Sequence, residues 1–282
     1  MDKIVAIIVT YNPNVEDLKQ NVSTFNHEVD YVIIVDNASS NNTELLNIFR
    51  EDKYVIILNN ENYGIAKALN IGLEESIKLK ADFVLTMDQD SKFLENSVDV
   101  LKDFLDDPDS QNVAMVGPLM RDLSSGFVES IDSTTADVRT IITSGALCRV
   151  SALQQVNGWD SSLFIDAVDF DICYKLLKKN YRIVKLKKAI LNHHLGESEK
   201  RRFIIPFLVT HHSPLRVYYT SRNTIVLFKK YFGKFPKDML QLELSNIKKF
   251  FAILLFEKEK AKKIQLYTKG FFHGVIGKKG KL

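Results

Sequence analysis

Met87-Asp88-Gln89-Asp90-Ser91 closes an apolar run, Phe83 to Met87, that reads as a buried strand. Two carboxylates at i and i+2 beyond a strand end can point to the same side. That pairing suits a core poorly and suits a hard divalent cation carrying phosphate oxygens well. An Asp-x-Asp alone is common in acidic loops. Here it closes a series of polar clusters that each follow an apolar run: Thr10-Tyr11-Asn12, then Asp36-Asn37-Ala38-Ser39-Ser40, then Asn59-Asn60-Glu61-Asn62.

Other stretches carry chemistry of their own. Asp36 could fix a base or ribose, although turn and cap formation is the simpler account of that cluster taken alone. Asn62-Tyr63-Gly64 leads a helix holding Lys67 and Asn70, and free N–H groups at such a start suit an anionic ligand; close packing at Gly64 is the alternative. Asp166, Asp169 and Asp171 lie among apolar residues at a helix start. Capping accounts for one of the three, and a carboxylate near apolar side chains holds its proton more tightly, as a general base should. His193-His194 could ligate a metal or line a solvated loop; His211-His212 reads as ordinary surface. Arg216, Tyr218, Tyr219 and Arg222 fall at helical spacing, where arginine suits phosphate or simply stacks on tyrosine. Cys173 reads as a small core residue.

These residues need elements to hold them. Strands are predicted at Ile4–Val9, Tyr31–Val35, Val55–Leu58 and Phe83–Met87, with helices over Val15–Phe25, Thr43–Phe49 and Ile65–Leu79 between them. Continuous β-branched runs alternating with helices argue for an α/β fold with a mostly parallel sheet flanked by helices. Ligands of such sheets sit beyond the carboxyl ends of the strands. Further strands are expected at Asn112–Pro118, Ile141–Ala146 and Arg182–Leu186, a turn at Gly158-Trp159-Asp160, and a helix from Asp171 to Lys179. Arg121–Arg139 reads as a polar, mobile loop. A C-terminal helical extension follows, with Leu240, Leu244, Ile247, Phe251 and Leu254 on one face. The domain boundary is expected near Phe203, giving 1–203 and 204–282.

The 282 residues, 45% apolar and 26% charged, suffice for a large core. Two cysteines in no ligand spacing argue for a reducing, cytoplasmic setting without disulfides. The chain opens on a core strand rather than a signal peptide, and no apolar stretch is long enough to span a bilayer. Gly-x-Gly-x-x-Gly is absent after the first strand and the P-loop motif is absent throughout, against a dinucleotide dehydrogenase or a P-loop NTPase. From Lys248 to Leu282 ten lysines face two glutamates; that +8, within a total of +3, leaves −5 for the rest. Such a tail suits an anionic lipid surface, the rival being packing on the main domain or a second subunit. A nucleic-acid partner is not expected.

Taken together the clusters resemble family 2 glycosyltransferases of the GT-A fold. Val9 to Pro13, Val35 to Ser39, Asn62 to Asn70, Asp88-Gln89-Asp90, Ser144-Gly145-Ala146 and Gly158-Trp159-Asp160 through Asp171 carry the match. Phe164 to Asp169, His193 to Glu197 and Arg216-x-Tyr218-Tyr219-x-x-Arg222-Asn223 are similar to the bacterial rhamnosyltransferase branch. The resemblance implies an inverting transfer from a nucleotide-diphosphate sugar, dTDP-rhamnose foremost, with one Mg2+ or Mn2+. It implies that Thr10, Tyr11, Asn12, Asp36, Asn37, Asn62, Gly64, Lys67, Asn70, Asp88 and Arg222 bind the donor. Asp90, with His193 or His194, would hold the metal, and Asp169 would be the base. Trp159, Asp166 and Asp171 would position a saccharide or polyprenyl-diphosphate-linked acceptor, at the inner face of the cell membrane. A UDP-glucose, UDP-galactose or UDP-galactofuranose donor, or binding of a nucleotide sugar without transfer, stays open.

Overall fold

A computed structural model describes residues 2–123, 126–193, 199–202 and 206–282. In chain order the elements are β1 (Ile4–Thr10), α1 (Val15–Ser23), β2 (Tyr31–Asp36), α2 (Asn42–Ile48), β3 (Tyr54–Leu58), α3 (Ile65–Lys78), β4 (Phe83–Met87), β5 (Lys92–Phe93) and α4 (Ser97–Asp106). There follow β6 (Val113–Asp122), β7 (Thr135–Asp137), β8 (Ala146–Arg149), α5 (Val150–Gln155), α6 (Val168–Lys178), β9 (Arg182–His193), β10 (Glu199–Arg202) and β11 (Pro206–Val209). The chain ends in α7 (Pro214–Tyr231), α8 (Pro236–Phe256) and α9 (Lys260–Ile276).

The chain divides into two compact units. One holds residues 1–161 and 172–194; the other holds 162–171 and 195–282. In the first, the strands order as β3-β2-β1-β4-β8-β6-β9-β5, with β7 paired to β9. The four strands of the first half pair in parallel, as their unbroken apolar runs predict. Beyond β4 the pairing is mixed, because β8 runs antiparallel to both β4 and β6. Chain order reverses between β2-β1 and β1-β4, which places a switch point at the ends of β1 and β4. Alternate residues of β1 face opposite ways. Ile4, Ala6 and Ile8 join Leu18 of α1, Leu45 of α2 and Leu101 of α4 in one core. Ile7 faces the other side, where its side chain occupies the space that a Cβ at Gly72 of α3 would need. Each fully buried aliphatic side chain here contributes about 1.5–3 kcal/mol.

Several boundaries differ from expectation. Ile141 to Gly145 are not a strand but an irregular stretch ending in a turn at Ser144-Gly145: Ala146 N donates to Thr143 O, Gly145 adopts φ +79°, and the strand begins at Ala146. Arg182–Leu186 is only the start of β9, which passes a register shift and runs on to His193. The polar stretch after Arg121 contains β7. The predicted boundary residue Phe203 lies outside the described residues.

The second unit pairs β10 with β11 and packs α7, α8 and α9 together. Ser213 caps α7, accepting from Arg216 N at 3.3 Å, with Pro214 at the first helical position. Gly270 and Gly274 let α9 lie directly on α7: a Cβ at Gly270 would strike Tyr218 O, and one at Gly274 would lie 2.7 Å from Arg222 O. Among the described residues no helix is long and apolar enough to cross a membrane.

Candidate active site

The carboxyl ends of β1 and β2 are in register at Thr10 and Asp36. Thr10 Oγ1 donates to Asp36 Oδ1 at 2.9 Å, Ser39 N donates to Asp36 Oδ2 at 2.8 Å, and the Ser39 hydroxyl also donates to Oδ1. Asp36 is fully buried, so its charge organises the loop that follows. Asn12 N then donates to Ser39 Oγ at 2.7 Å, and Ser40 N to Asn12 Oδ1 at 2.9 Å. Asn12 and Ala38 adopt left-handed backbone, φ 47° and 63°, which these bonds hold in place. Asn37 Nδ2 reaches Gly64 O at 3.4 Å, and Asn62 Oδ1 accepts from Gly64 N at 2.9 Å. Gly64, at φ 82°, caps α3. Tyr11 is half exposed over this edge, with its N–H bonded to Gln89 Oε1 at 3.0 Å.

At the same edge Asp88, Asp90 and His193 each offer a ligand atom, all within 4.8 Å of one another. Two carboxylates and an imidazole fit Mg2+ or Mn2+. Ser91 Oγ shares a 2.7 Å hydrogen bond with His193 Nδ1, which fixes the ring as the outer partner of a ligating histidine would. Asp88 is fixed through its backbone: N donates to Ser144 Oγ at 3.2 Å and O accepts from Asn21 Nδ2 at 2.6 Å.

The second unit carries the other carboxylates. Phe164, Asp166 and Ala167 all have left-handed backbone, φ 68°, 62° and 62°, just before the first turn of α6, where Asp169 stands half-buried. Asn223 Nδ2 lies 3.0, 2.8 and 2.9 Å from the carbonyls of Leu163, Ile165 and Asp166. Asp166 Oδ1 accepts from Arg216 Nε at 3.0 Å and Oδ2 from Thr220 Oγ1 at 3.1 Å.

Residues 5–128 match the model of glycosyl transferase family 2. A dTDP-rhamnosyl transferase of Shigella flexneri, RfbF, is 29% identical over 243 residues, 80% of each chain. A family 2 glycosyltransferase domain thus lies at residues 5–128, and the chain is a glycosyltransferase. A poly-beta-1,6-N-acetyl-D-glucosamine synthase of Staphylococcus aureus is 27% identical over 65% of this chain, which spans 48% of that protein. Among solved structures, GalNAc-T7 with UDP, GalNAc and Mn2+ superposes with a TM-score of 0.64 at 11% identity, over 98% of this chain and 56% of the other. S. aureus TarS 1-349 with UDP-GlcNAc gives 0.56 at 15%, over 98% and 92%. These likenesses show the GT-A fold.

Within this glycosyltransferase the expected residues divide. Thr10, Tyr11, Asn12, Asp36, Asn37, Asn62, Gly64, Asp88, Asp90 and His193 gather at one sheet edge; Lys67 is exposed one turn into α3. Asn70 is placed otherwise. Its Oδ1 accepts from Trp159 N at 2.9 Å and its Nδ2 donates to Trp159 O at 2.8 Å, so it ties α3 to the Gly158-Trp159 turn. Arg222 corrects the sequence reading. It is 1% exposed, and its guanidinium donates to Asn223 Oδ1 (2.9 Å), Ser162 O (3.1 Å), Leu163 O (2.8 Å) and Gly280 O, beside the rings of Tyr218 and Tyr219. These donors hold backbone, so the diphosphate contact expected of Arg222 is withdrawn. Asp171 is fully buried, with Oδ1 accepting from Lys230 Nζ at 2.6 Å and Tyr231 Oη at 2.7 Å; that ion pair is structural. His194 lies outside the described residues. Sequence reasoning missed Ser39, Ser91 and Asn21. Ser91 stands in the Asp-x-Asp stretch, whereas nothing local marks Asn21.

Proposed function

We propose that this glycosyltransferase moves L-rhamnose from dTDP-rhamnose, with inversion, onto a saccharide or polyprenyl-diphosphate-linked acceptor of a cell-surface polysaccharide. The observation that carries the reading is the gathering of Asp88, Asp90 and His193 beside the Thr10–Asp36 loops at one sheet edge. Similarity to the Shigella transferase over 80% of both chains supports the choice of sugar.

Thr10, Tyr11, Asn12, Asn37, Asn62 and Gly64 frame the base and ribose, and Asp36 keeps that frame rigid. Asp88 would contact the ribose or the water shell of the ion, and Asp90 with His193 would hold Mg2+ or Mn2+. When bound, the cation offsets the charge that grows on the departing diphosphate. Asp169 accepts the proton of the acceptor hydroxyl as its oxygen bonds to the anomeric carbon and the bond to the nucleotide diphosphate breaks; inversion requires that base opposite the leaving group. Trp159, whose Nε1 has no hydrogen-bond partner among the described residues, and Asp166 are the residues proposed to position the acceptor.

The α8–α9 surface meets an anionic membrane. Leu240, Leu244, Ile247 and Phe251 of α8 and Phe271, Phe272 and Ile276 of α9 are exposed, and Lys248, Lys258, Lys260, Lys262 and Lys269 are exposed on the same helices and their junction. The membrane face proposed for this contact is the cytoplasmic one. Leu244→Glu with Phe251→Glu should abolish co-sedimentation with anionic vesicles, and unchanged binding would remove the membrane contact.

Nucleotide release from dTDP-rhamnose, UDP-glucose, UDP-galactose and UDP-galactofuranose, with Mn2+ present, tests the reading. Release from dTDP-rhamnose alone, lost in Asp90→Ala, is expected. Release from a UDP-sugar instead overturns the rhamnosyl assignment.

A further inference from the structure

His211-His212 has no part in that reaction. His212 directly precedes the cap of α7, and Lys249 of α8 extends its ammonium to 3.1 Å from His212 Nδ1 and 3.4 Å from Thr220 Oγ1. Neither partner is a carboxylate. The two carboxylates whose charge reaches Lys249 are engaged elsewhere: Asp166 with Arg216 and Thr220, and Glu257 with Lys263 at 2.6 Å. Among the described residues none lies within ion-pair distance of Lys249. A largely buried ammonium without a counter-ion is costly. Burial, more than the neighbouring charges, holds the Lys249 amine below its ordinary value. Burial first, then the charges of Lys249, Arg216 and Lys263, pulls His212 down to about 3. Two residues before His212, the buried hydroxyl of Thr210 has no hydrogen-bond partner among the described residues. The cations Lys249, Arg216 and Lys263 thus act together on His212, while the carboxylates nearby are already engaged.

We infer that Arg216, Lys249 and His212 form a receptor for an anionic group of phosphate or diphosphate chemistry, and that it seats the phosphate of the acceptor in the transfer proposed above, on which this assignment rests. Arg216 is about half exposed on its side chain (47%) and offers the approach from solvent; its planar fork matches phosphate oxygens. Lys249 supplies a point charge from beneath. An arriving anion restores the affinity of His212 for a proton, so binding turns a neutral ring into a third cation. Asp166 already orients Arg216 and stands three residues before Asp169 in the same unit, so the receptor shares its scaffold with the proposed base.

The test titrates inorganic phosphate, inorganic pyrophosphate and farnesyl diphosphate onto the full chain, following the His212 ring by NMR and affinity by calorimetry. Expected are an upfield-to-downfield titration of His212 that moves to higher pH on binding, and an affinity for the diphosphates at least tenfold weaker in Lys249→Met and in the half-exposed Arg216→Ala. Tighter binding of farnesyl diphosphate identifies a lipid-linked source; equal binding identifies a free anion. An unmoved His212 resonance at millimolar probe, or an affinity indifferent to both substitutions, overturns the receptor. Neither readout involves sugar transfer. Receptor failure with intact release from dTDP-rhamnose leaves the transferase reading standing, whereas anion binding without release from any donor overturns that reading instead.

Discussion

Arg222→Lys separates two roles for one arginine. The side chain is buried and donates to four acceptors: Asn223 Oδ1 and the carbonyls of Ser162, Leu163 and Gly280. A lysine keeps the charge but reaches one or two of them, and leaves the other carbonyls buried without donors. At about 1 kcal/mol for each bond lost, with some added cost for the orphaned carbonyls, the expected destabilisation is about 2–4 kcal/mol. For a chain of this size that corresponds to a fall in Tm of about 5–10 °C. Thermal unfolding followed by circular dichroism measures it, with calorimetric titration of dTDP-rhamnose as the control. Donor affinity should stay within about twofold, since every partner of Arg222 is protein. An unchanged Tm with donor binding weakened tenfold would refute the clamp and return Arg222 to the diphosphate.

Other expectations can be checked with the same protein. Asp169→Asn should lower turnover by about 10²–10⁴ with donor affinity intact; near-normal transfer would remove it as the base. Acid should weaken the fold through His212. Its folded pKa of about 3 lies below the unfolded value near 6.5, so the unfolded chain takes the proton first and stability declines as pH falls from about 6.5 to about 3. Allowing for the partial exposure of the ring, that is about 2 kcal/mol, and urea midpoints at pH 7 and pH 4 should converge less in the wild type than in His212→Asn; equal acid losses would exclude the effect. Gly270→Ala should cost about 1–3 kcal/mol by forcing α9 off the α7 backbone, and a variant as stable as the parent in urea would show that the helices part easily.

The strands of the first half were legible because each is an unbroken run of β-branched and aliphatic residues ending in polar ones, and the site loops followed from those ends. The start of β8 was not. Ile141 is apolar and buried, yet it lies in an irregular stretch, and the turn at Gly145 delays the strand to Ala146. The far half of β9 was hidden by Lys187 and Lys188, exposed residues at a register shift that break the apolar pattern. Asp88 and Asp90 could be found from spacing, and His193 from its place after a strand. Arg222 and Asp171 could not, because their partners come from distant stretches of chain: backbone carbonyls for the first, Lys230 and Tyr231 for the second. Lys249 looked like one more member of a basic tail, and only packing shows that it points inward.

The loop before Asp169 has one more consequence. Three of its residues, none of them glycine, sit in the left-handed region, at about 1 kcal/mol or more apiece. Side chains of α7 hold that conformation in place. Its opening should therefore be a local event with a free energy of its own, seen as amide exchange faster than that of the sheet and accelerated further in Asn223→Ala. An inhibitor would then have a target other than the residues proposed to bind the donor. A compound that competes for the carbonyls of Leu163, Ile165 and Asp166 would let the loop relax and carry Asp169 out of position without displacing the donor.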